Sequence, residues 1–416
     1  MTFGSQRLGQ TQKLNLIALY NDVGSLWGEV FPVRGRNKGT VHNLTEATGA
    51  SGNPKRPSFS PDGDWLAFPS HQLGVHVWYK TGENTWAEYD TTNLTVNSAN
   101  PPPATDLYFN TQIVAFNNAG TLLAVGGFPT LATEPIVSLL NVPTDEALTW
   151  NTVPTDTWAG FELDQWATDT WDSVPTDTWA GFEDDEWETE TDIQFTLNSQ
   201  PLTPSNIPLT IASDIAFSYN DTYMAVAHSK TGSPGSATGC PFSVYKLSGG
   251  TYSKLADPAD VPSGYYMTGV AWSPDAVYLA VGGDRENSST TRMVIYKRSG
   301  DTFTKLSDPA DMPGSTVQKV RFDPTGTYLV VGMRSAPRVL IYKRSGDTFT
   351  KLSDPADMPS GEVEDIAWTS EGGFLFLAVD QTNSLLYSRN GDTFTKQLEF
   401  GDATGVSIWP KALNQR

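Results

Sequence analysis

The 416-residue sequence contains a single cysteine, Cys240, and only four histidines. One thiol excludes an internal disulfide, so the fold needs no oxidising compartment. Long apolar runs are missing as well. The longest, Phe374 to Val379, falls far short of the roughly 20 residues that a membrane-spanning helix requires. The opening stretch Met1 to Lys13 lacks the charged segment and apolar segment of a signal peptide, so a soluble chain without an export signal is expected. Basic residues are absent from the whole of 81–229, a window that holds 22 of the 47 acidic residues. The rest of the chain carries all 27 basic residues against 25 acidic ones, so the net charge of −20 belongs to one sector. Such a sector repels phosphates, which argues against a nucleic-acid partner.

Recognisable catalytic motifs are absent too. No G-x-S-x-G elbow, P-loop or H-E-x-x-H is present,. The histidines are His42, His71, His76 and His228. His71 and His76 are five apart, so on one strand they face opposite sides and cannot share a metal. Cys240 sits in a Gly/Pro-rich loop with no second thiol and reads as a buried or incidental one. Gly282-Gly283 follows a strand pattern but belongs to a repeat, and so reads as turn chemistry instead of a nucleotide fingerprint. No cofactor and no metal is expected.

Repetition is what the sequence does have. Tyr296–Pro313 reads YKRSGDTFTKLSDPADMP and recurs unchanged at Tyr342–Pro359, with looser copies from Tyr245 and Tyr387. Upstream of each copy stand two apolar stretches joined by a short turn: SFSPDGDWLAF at 58–68, VAFNNAGTLLAV at 114–125, IAFSYNDTYMAV at 215–226, VAWSPDAVYLAV at 270–281, VRFDPTGTYLVV at 320–331 and IAWTSEGGFLFL at 366–377. Ser60-Pro61-Asp62-Gly63 suits a type I turn, and the Val/Ile/Tyr/Phe-rich flanks read as strands. Each unit supplies four strands, and a period of 40–50 residues marks a propeller or solenoid.

Six units are plain. The chain ends supply material for a seventh: Val406–Pro410 resembles a first strand, with Leu14–Tyr20, Val30–Arg34 and Thr40–Leu44 standing as the other three. Joining the ends removes two exposed sheet edges. The expected fold is therefore all-β, a seven-bladed β-propeller over 14–416 (six blades being the alternative) closed by pairing the N- and C-terminal strands. Residues 1–13 form a polar arm.

These units resemble WD40-type repeats across nearly the whole chain outside one insert, the matching part being the SPDG-type turn followed by LAVGG. Arg56–Ser70 is also similar to the repeats of TolB-like propellers. Trp78-Tyr79, Tyr296-Lys297 and Tyr342-Lys343 stand where WD40 proteins carry Trp-Asp, and no Gly-His pair precedes the repeats. The resemblance thus implies the propeller without the usual WD40 side-chain network. The nearly undiverged blocks are similar to WD40-like virion proteins of tailed bacteriophages. That resemblance implies a virion component.

The insert, 143–210, is acidic and expected to be β-rich. It contains two 21-residue repeats, 149–169 and 170–190, each with three tryptophans eight apart: Trp150, Trp158, Trp166, then Trp171, Trp179, Trp187. Carboxylates surround them, among them Asp164, Asp184, Asp185 and Glu186. Spacing of eight keeps side chains on one face of an extended segment but rotates them by about 80° on a helix. Short hairpins projecting from one face or rim of the propeller are expected. Tryptophans flanked by carboxylates suit glycan stacking or docking of a basic protein surface. Equally, they suit a small satellite core. Calcium is open, since no spaced ligand pattern is present.

The DPADMP linkers, with Asp257, Asp308, Asp354, Asp260, Asp311 and Asp357, read as turn signals. Copied loops are a poor way to place an acid and a base of different pKa, so the chain is expected to be no enzyme. The leading expectation is a virion structural or adhesion protein (tail fibre, tail tip or capsid decoration), with other virion proteins and a host surface protein or glycan as partners and a homo-oligomer within the assembly. A cytoplasmic bacterial interaction scaffold is the alternative, with a propeller hydrolase or lactonase behind it.

Overall fold

A computed structural model describes the strand backbones at 14–22, 25–34, 37–38, 42–47, 74–82, 85–89, 196–197 and 405–408. It describes longer stretches at 57–70, 111–127, 137–143, 211–230, 239–262, 266–284, 292–380 and 382–400. All of the regular structure there is β. Six antiparallel four-stranded sheets, spanning 58–89, 111–197, 214–254, 266–305, 317–351 and 363–400, form six blades of one build. In each, the strands pair in sequence order, the first lying innermost. The expected seven blades are thus corrected to six, the count held as the alternative above.

The sheet that holds the chain ends is built differently. Gly405–Ile408 pairs antiparallel with Leu14–Asp22, which pairs with Ser25–Arg34. Both Asn37–Lys38 and His42–Ala47 then pair with Ser25–Arg34, so five strands stand where a four-stranded blade was expected. The physical reason is the length of Ser25–Arg34, ten residues, which leaves room for two short partners along one edge. The innermost strands touch in succession around the ring, with Gly405–Ile408 lying between those of blades six and one.

The alternation that marks the strands also sets the core. In Tyr278–Asp284 and Tyr328–Met333 every apolar side chain is buried, because both faces of a middle strand are covered by the adjoining blades,. The turn residue that follows each first strand sits at positive φ: Gly63, Gly120, Gly326 and Gly372, but also Asp221 and Ala276. Asp221 uses its position. Its carboxylate accepts the backbone N–H groups of Asn118 and Ala119 at 2.8 and 2.7 Å, tying blade three to blade two.

A repeated clamp replaces the WD40 network. Tyr296, Tyr342 and Tyr387, standing where WD40 proteins carry tryptophan, are buried, and their hydroxyls donate to the carbonyls of Asp260, Asp311 and Asp357 at 2.6, 2.6 and 2.5 Å. The DPADMP linkers are thus held by the blade that follows them. Lys254, Lys305 and Lys351 pair with Asp257, Asp308 and Asp354 at 2.6 to 2.8 Å. At the other end of the blades, Tyr278 donates to Asp347 of the next blade at 2.5 Å, Lys297 pairs with the same carboxylate at 2.8 Å, and Arg344 lies over the Tyr278 ring at 4.7 Å. Tyr223–Asp301–Lys246–Arg298 and Tyr328–Asp392–Lys343–Arg389 repeat it.

Gly282 and Gly283 are corrected from turn residues to members of the strand Tyr278–Asp284. A Cβ on Gly282 would meet Val317 Cγ1 at 2.5 Å, and one on Gly332 would meet Val363 Cγ1 at 2.7 Å. Glycine is there so that the next blade can abut. Adding one methyl at either place overpacks the contact, and Gly282→Ala is expected to cost about 1–3 kcal/mol in urea unfolding. Gly314→Ala, where a Cβ meets nothing within 4 Å, should stay near neutral.

Candidate functional site

Strand direction defines two ends of the molecule. First strands begin, and second strands finish, at the end where the DPADMP linkers cross; the SPDG-type turns and SGD hairpins lie at the other. The candidate site is at the linker end, between blades five and six, where the sequence departs from its copies.

Glu362 precedes the innermost strand Val363–Trp368, Glu364 lies within it, and Asp380 follows the second strand Phe374–Val379. The Asp380 N–H donates to the Glu362 carbonyl at 2.9 Å, which fixes the two chain segments side by side. One carboxylate oxygen from each of Glu362, Glu364 and Asp380 lies within 4.8 Å of the others, the one such group of three among the described residues. Blade five supplies the counter-charge: Arg334 Nε is 3.6 Å from Glu362 Oε2, with the Arg334 side chain 66% exposed. The Arg334 N–H is held by the Thr316 carbonyl at 3.0 Å, and its own carbonyl accepts from the Arg338 guanidinium.

Burial, then the neighbouring Glu364 and Asp380 charges, push the Glu362 carboxyl up to about 7 against the opposing pull of Arg334 and Arg338. Such a group exchanges a proton near neutrality, which suits general acid–base work. Three oxygen donors of this kind are also the hard ligands that calcium or magnesium takes.

Deeper along the innermost strands lies a second set of unrepeated charges. Lys319 of blade five is fully buried, and its ammonium meets Asp214 Oδ1 of blade three at 2.5 Å and Asp365 of blade six at 4.0 Å. Arg321 approaches Asp214 at 3.9 Å. The lysine reaches past blade four because that blade presents Gly269, where a Cβ would come within 3.1 Å of the Lys319 Cα. Asp214 Oδ2 also accepts the Val270 N–H of blade four at 2.9 Å. Four blades thus meet on one ion cluster.

The candidates named from the sequence are not among the described residues. Trp150, Trp158, Trp166, Trp171, Trp179, Trp187, Asp164, Asp184, Asp185 and Glu186 fall outside the described residues, as does the arm 1–13. Thr196–Leu197, within the span given to the insert, pairs with Val137–Asn141 as the fourth strand of blade two. The insert therefore leaves between the third and fourth strands, at the end of the molecule opposite Glu362. His228 is fully buried, bonded to the Ser229 carbonyl at 2.8 Å and Ser243 Oγ at 2.9 Å, and burial drops its pKa to about 4. Cys240 is buried and its thiol is pushed up to about 12 by burial, leaving it inert,.

The residues that do assemble here were missed from sequence. Their one signal was divergence: Asp214, Gly269, Lys319 and Asp365 occupy the same place in successive units that otherwise read alike.

No family model matches the chain, and no curated protein is similar to it. Solved structures share its fold. A periplasmic gluconolactonase of Pseudomonas aeruginosa has a TM-score of 0.60 at 13% identity, over 95% of this chain and 98% of that one. A protein of Bacteroides uniformis named as a candidate 6-phosphogluconolactonase gives 0.58 at 13%, over 96% and 100%. A protein from Lactobacillus plantarum gives 0.58 at 15%, over 95% and 99%. The WD40-like all-β propeller stands on these and on the strand pairing. None of the three is named as a virion protein. The expectation that the chain is no enzyme is corrected here, since two of these neighbours carry enzyme names. Its premise, that the loops are copies, fails as well, because Glu362, Glu364, Asp380 and Arg334 stand where the units differ.

The ion cluster gives a direct test of how much the innermost ring depends on it. Lys319→Met takes the ammonium away from two buried carboxylates, leaving Asp214 with Arg321 at 3.9 Å, and is expected to cost about 3–5 kcal/mol in urea unfolding,. The double variant Asp214→Asn/Lys319→Met keeps an acceptor for the Val270 N–H and should recover more than half of that loss.

Proposed function

We propose that the chain is a lactone hydrolase acting beside Glu362, at the linker end of the central ring. The observation that carries this reading is a carboxyl group poised near pH 7 with an exposed guanidinium 3.6 Å away. The names of the structural neighbours, a gluconolactonase and a candidate 6-phosphogluconolactonase, support the choice of a lactone as substrate.

Ionised Glu362 takes a proton from a water molecule as the water oxygen bonds to the lactone carbonyl carbon. The carbonyl electrons move to its oxygen, and Arg334 stabilises that oxyanion. Collapse of the adduct breaks the ring C–O bond. The ring oxygen leaves as an alcohol, taking the proton from Glu362, and the product is a hydroxy acid. Glu364 and Asp380 serve by keeping the base strong enough to take that first proton at neutral pH. The closing sheet of five strands completes the ring, and the tryptophan insert, carried between the third and fourth strands of blade two, is assigned to partner docking.

The test is turnover across a panel of γ- and δ-lactones. The base must be ionised, so kcat/KM should rise with pH up to about 7 and level off above it. Glu362→Gln should lower it at least about 100-fold. Glu364→Gln removes a charge that raises the Glu362 pKa, so the acid limb should move to lower pH. Turnover indifferent to Glu362→Gln, or none on the whole panel, would contradict the proposal.

A further inference from the structure

Two-residue hairpin loops join the third and fourth strands of blades four, five and six. Ser299 pairs with Thr302, Ser345 with Thr348 and Asn390 with Thr393. The glycine that opens each loop has nearly the same φ, 59°, 58° and 57° at Gly300, Gly346 and Gly391. The loops are copies in shape but not in chemistry. Where blades four and five carry Ser-Gly-Asp, blade six carries Asn390-Gly391-Asp392, and no other asparagine of the chain precedes a glycine.

The side-chain amide of asparagine is open to attack by the backbone nitrogen of the next residue, which makes asparagine one of the labile residue types. A following glycine shields that nitrogen least, since it has no side chain. Both Asn390 and Gly391 are exposed. A Cβ on Gly391 would meet nothing within 4 Å, so the space beside the nitrogen is open. No hydrogen bond among the described residues engages the Asn390 amide. In a hairpin loop of this kind the N–H of the first loop residue takes no part in the ladder.

We propose that Asn390–Gly391 is a site of spontaneous deamidation. The Gly391 nitrogen gives up its proton to hydroxide and bonds to Asn390 Cγ, and the Cγ–Nδ2 bond breaks with release of ammonia. Water then opens the resulting five-membered succinimide. Breaking the new bond to Cγ leaves an aspartate. Breaking the bond to the Asn390 backbone carbonyl carbon leaves an isoaspartate, in which the chain runs through the former side chain and gains one carbon.

The loop belongs to the clamp between blades five and six. The Tyr328 hydroxyl donates to Asp392 Oδ1 at 2.6 Å and lies 3.1 Å from the Gly391 carbonyl oxygen, and Lys343 pairs with Asp392 at 2.8 Å. An extra backbone carbon ahead of Gly391 displaces both acceptors. The isoaspartyl form therefore loosens this joint, while serine at 299 and 345 leaves the two preceding clamps as they are.

The experiment is peptide mapping of the full chain by mass spectrometry after storage in mildly alkaline buffer, with isoaspartate counted by an isoaspartyl methyltransferase and Tm read on the same samples. Asn390 should convert ahead of every other asparagine, and faster as pH rises, because the attacking nitrogen must lose its proton. Asn390→Ser should abolish both the conversion and the accompanying fall in Tm. Ser345→Asn rebuilds the same loop in blade five and should add a second site of comparable rate. Asn390→Asp carries the new charge without the extra carbon and should melt as the unmodified chain does, so that the fall in Tm follows the isoaspartyl fraction. The proposal is overturned if Asn390 keeps its amide under conditions where the free 388–394 peptide loses it, or if another asparagine reacts first. A Tm that does not move with the isoaspartyl fraction overturns the role given to the clamp.

Discussion

A blade of this protein cannot cover its own faces, and the structure depends on how closely the next blade approaches. Each of the six blades is four strands of mostly apolar side chains with a face on either side, so burial comes only from its neighbours around the ring,. The approach is set at Gly282 and Gly332, where Val317 and Val363 of the following blade lie against the backbone with no room for a methyl group. Polar clamps hold what that approach brings together. Tyrosine–aspartate–lysine sets join successive blades at one end, and tyrosine-to-carbonyl bonds fasten the linkers at the other. These are the residues that the duplicated blocks preserve, which gives the repetition a physical cause: a copied blade carries both halves of its own joints.

The same constraint decides where function can reside. A residue that belongs to a joint is not free to vary without loosening the ring, so the joints stay alike from blade to blade. Divergence is concentrated on the innermost strands and at the linker end of blades five and six. There one finds the buried Lys319–Asp214–Asp365 cluster and the carboxylates of Glu362, Glu364 and Asp380 beside Arg334. Glu362 owes its raised pKa to this crowding, burial first and like charge second,. Asymmetry in a ring of copies is what allows one carboxyl to behave unlike the rest.

Much of the fold was legible in the sequence because a propeller writes itself in strand-length alternation and turn residues. The SPDG-type turns, the four strands per unit and the meeting of the two chain ends all follow from local pattern. Legibility failed where side chains act across blades. Tyr278 and Asp347 are 69 residues apart, and Asp214 and Lys319 are 105 apart, so no window along the chain shows them as partners. Gly282 looked like a turn residue because the obstacle to a side chain there, Val317, belongs to another blade. The candidate site was hidden for the same reason. GEVEDIAW reads as one more strand until Asp380 and Arg334 are placed around Glu362 by the ring. The tryptophan repeats are locally vivid, whereas the candidate site is assembled from residues ordinary in isolation.

The measurement that bears most directly on the account is a crystal structure of the chain with a bound lactam, whose ring N–H replaces the lactone ring oxygen and resists opening. The account predicts the lactam carbonyl oxygen against the Arg334 guanidinium, with its carbonyl carbon facing Glu362. A lactam seated at the opposite end of the ring, among the SPDG-type turns or against the tryptophan insert, would contradict it.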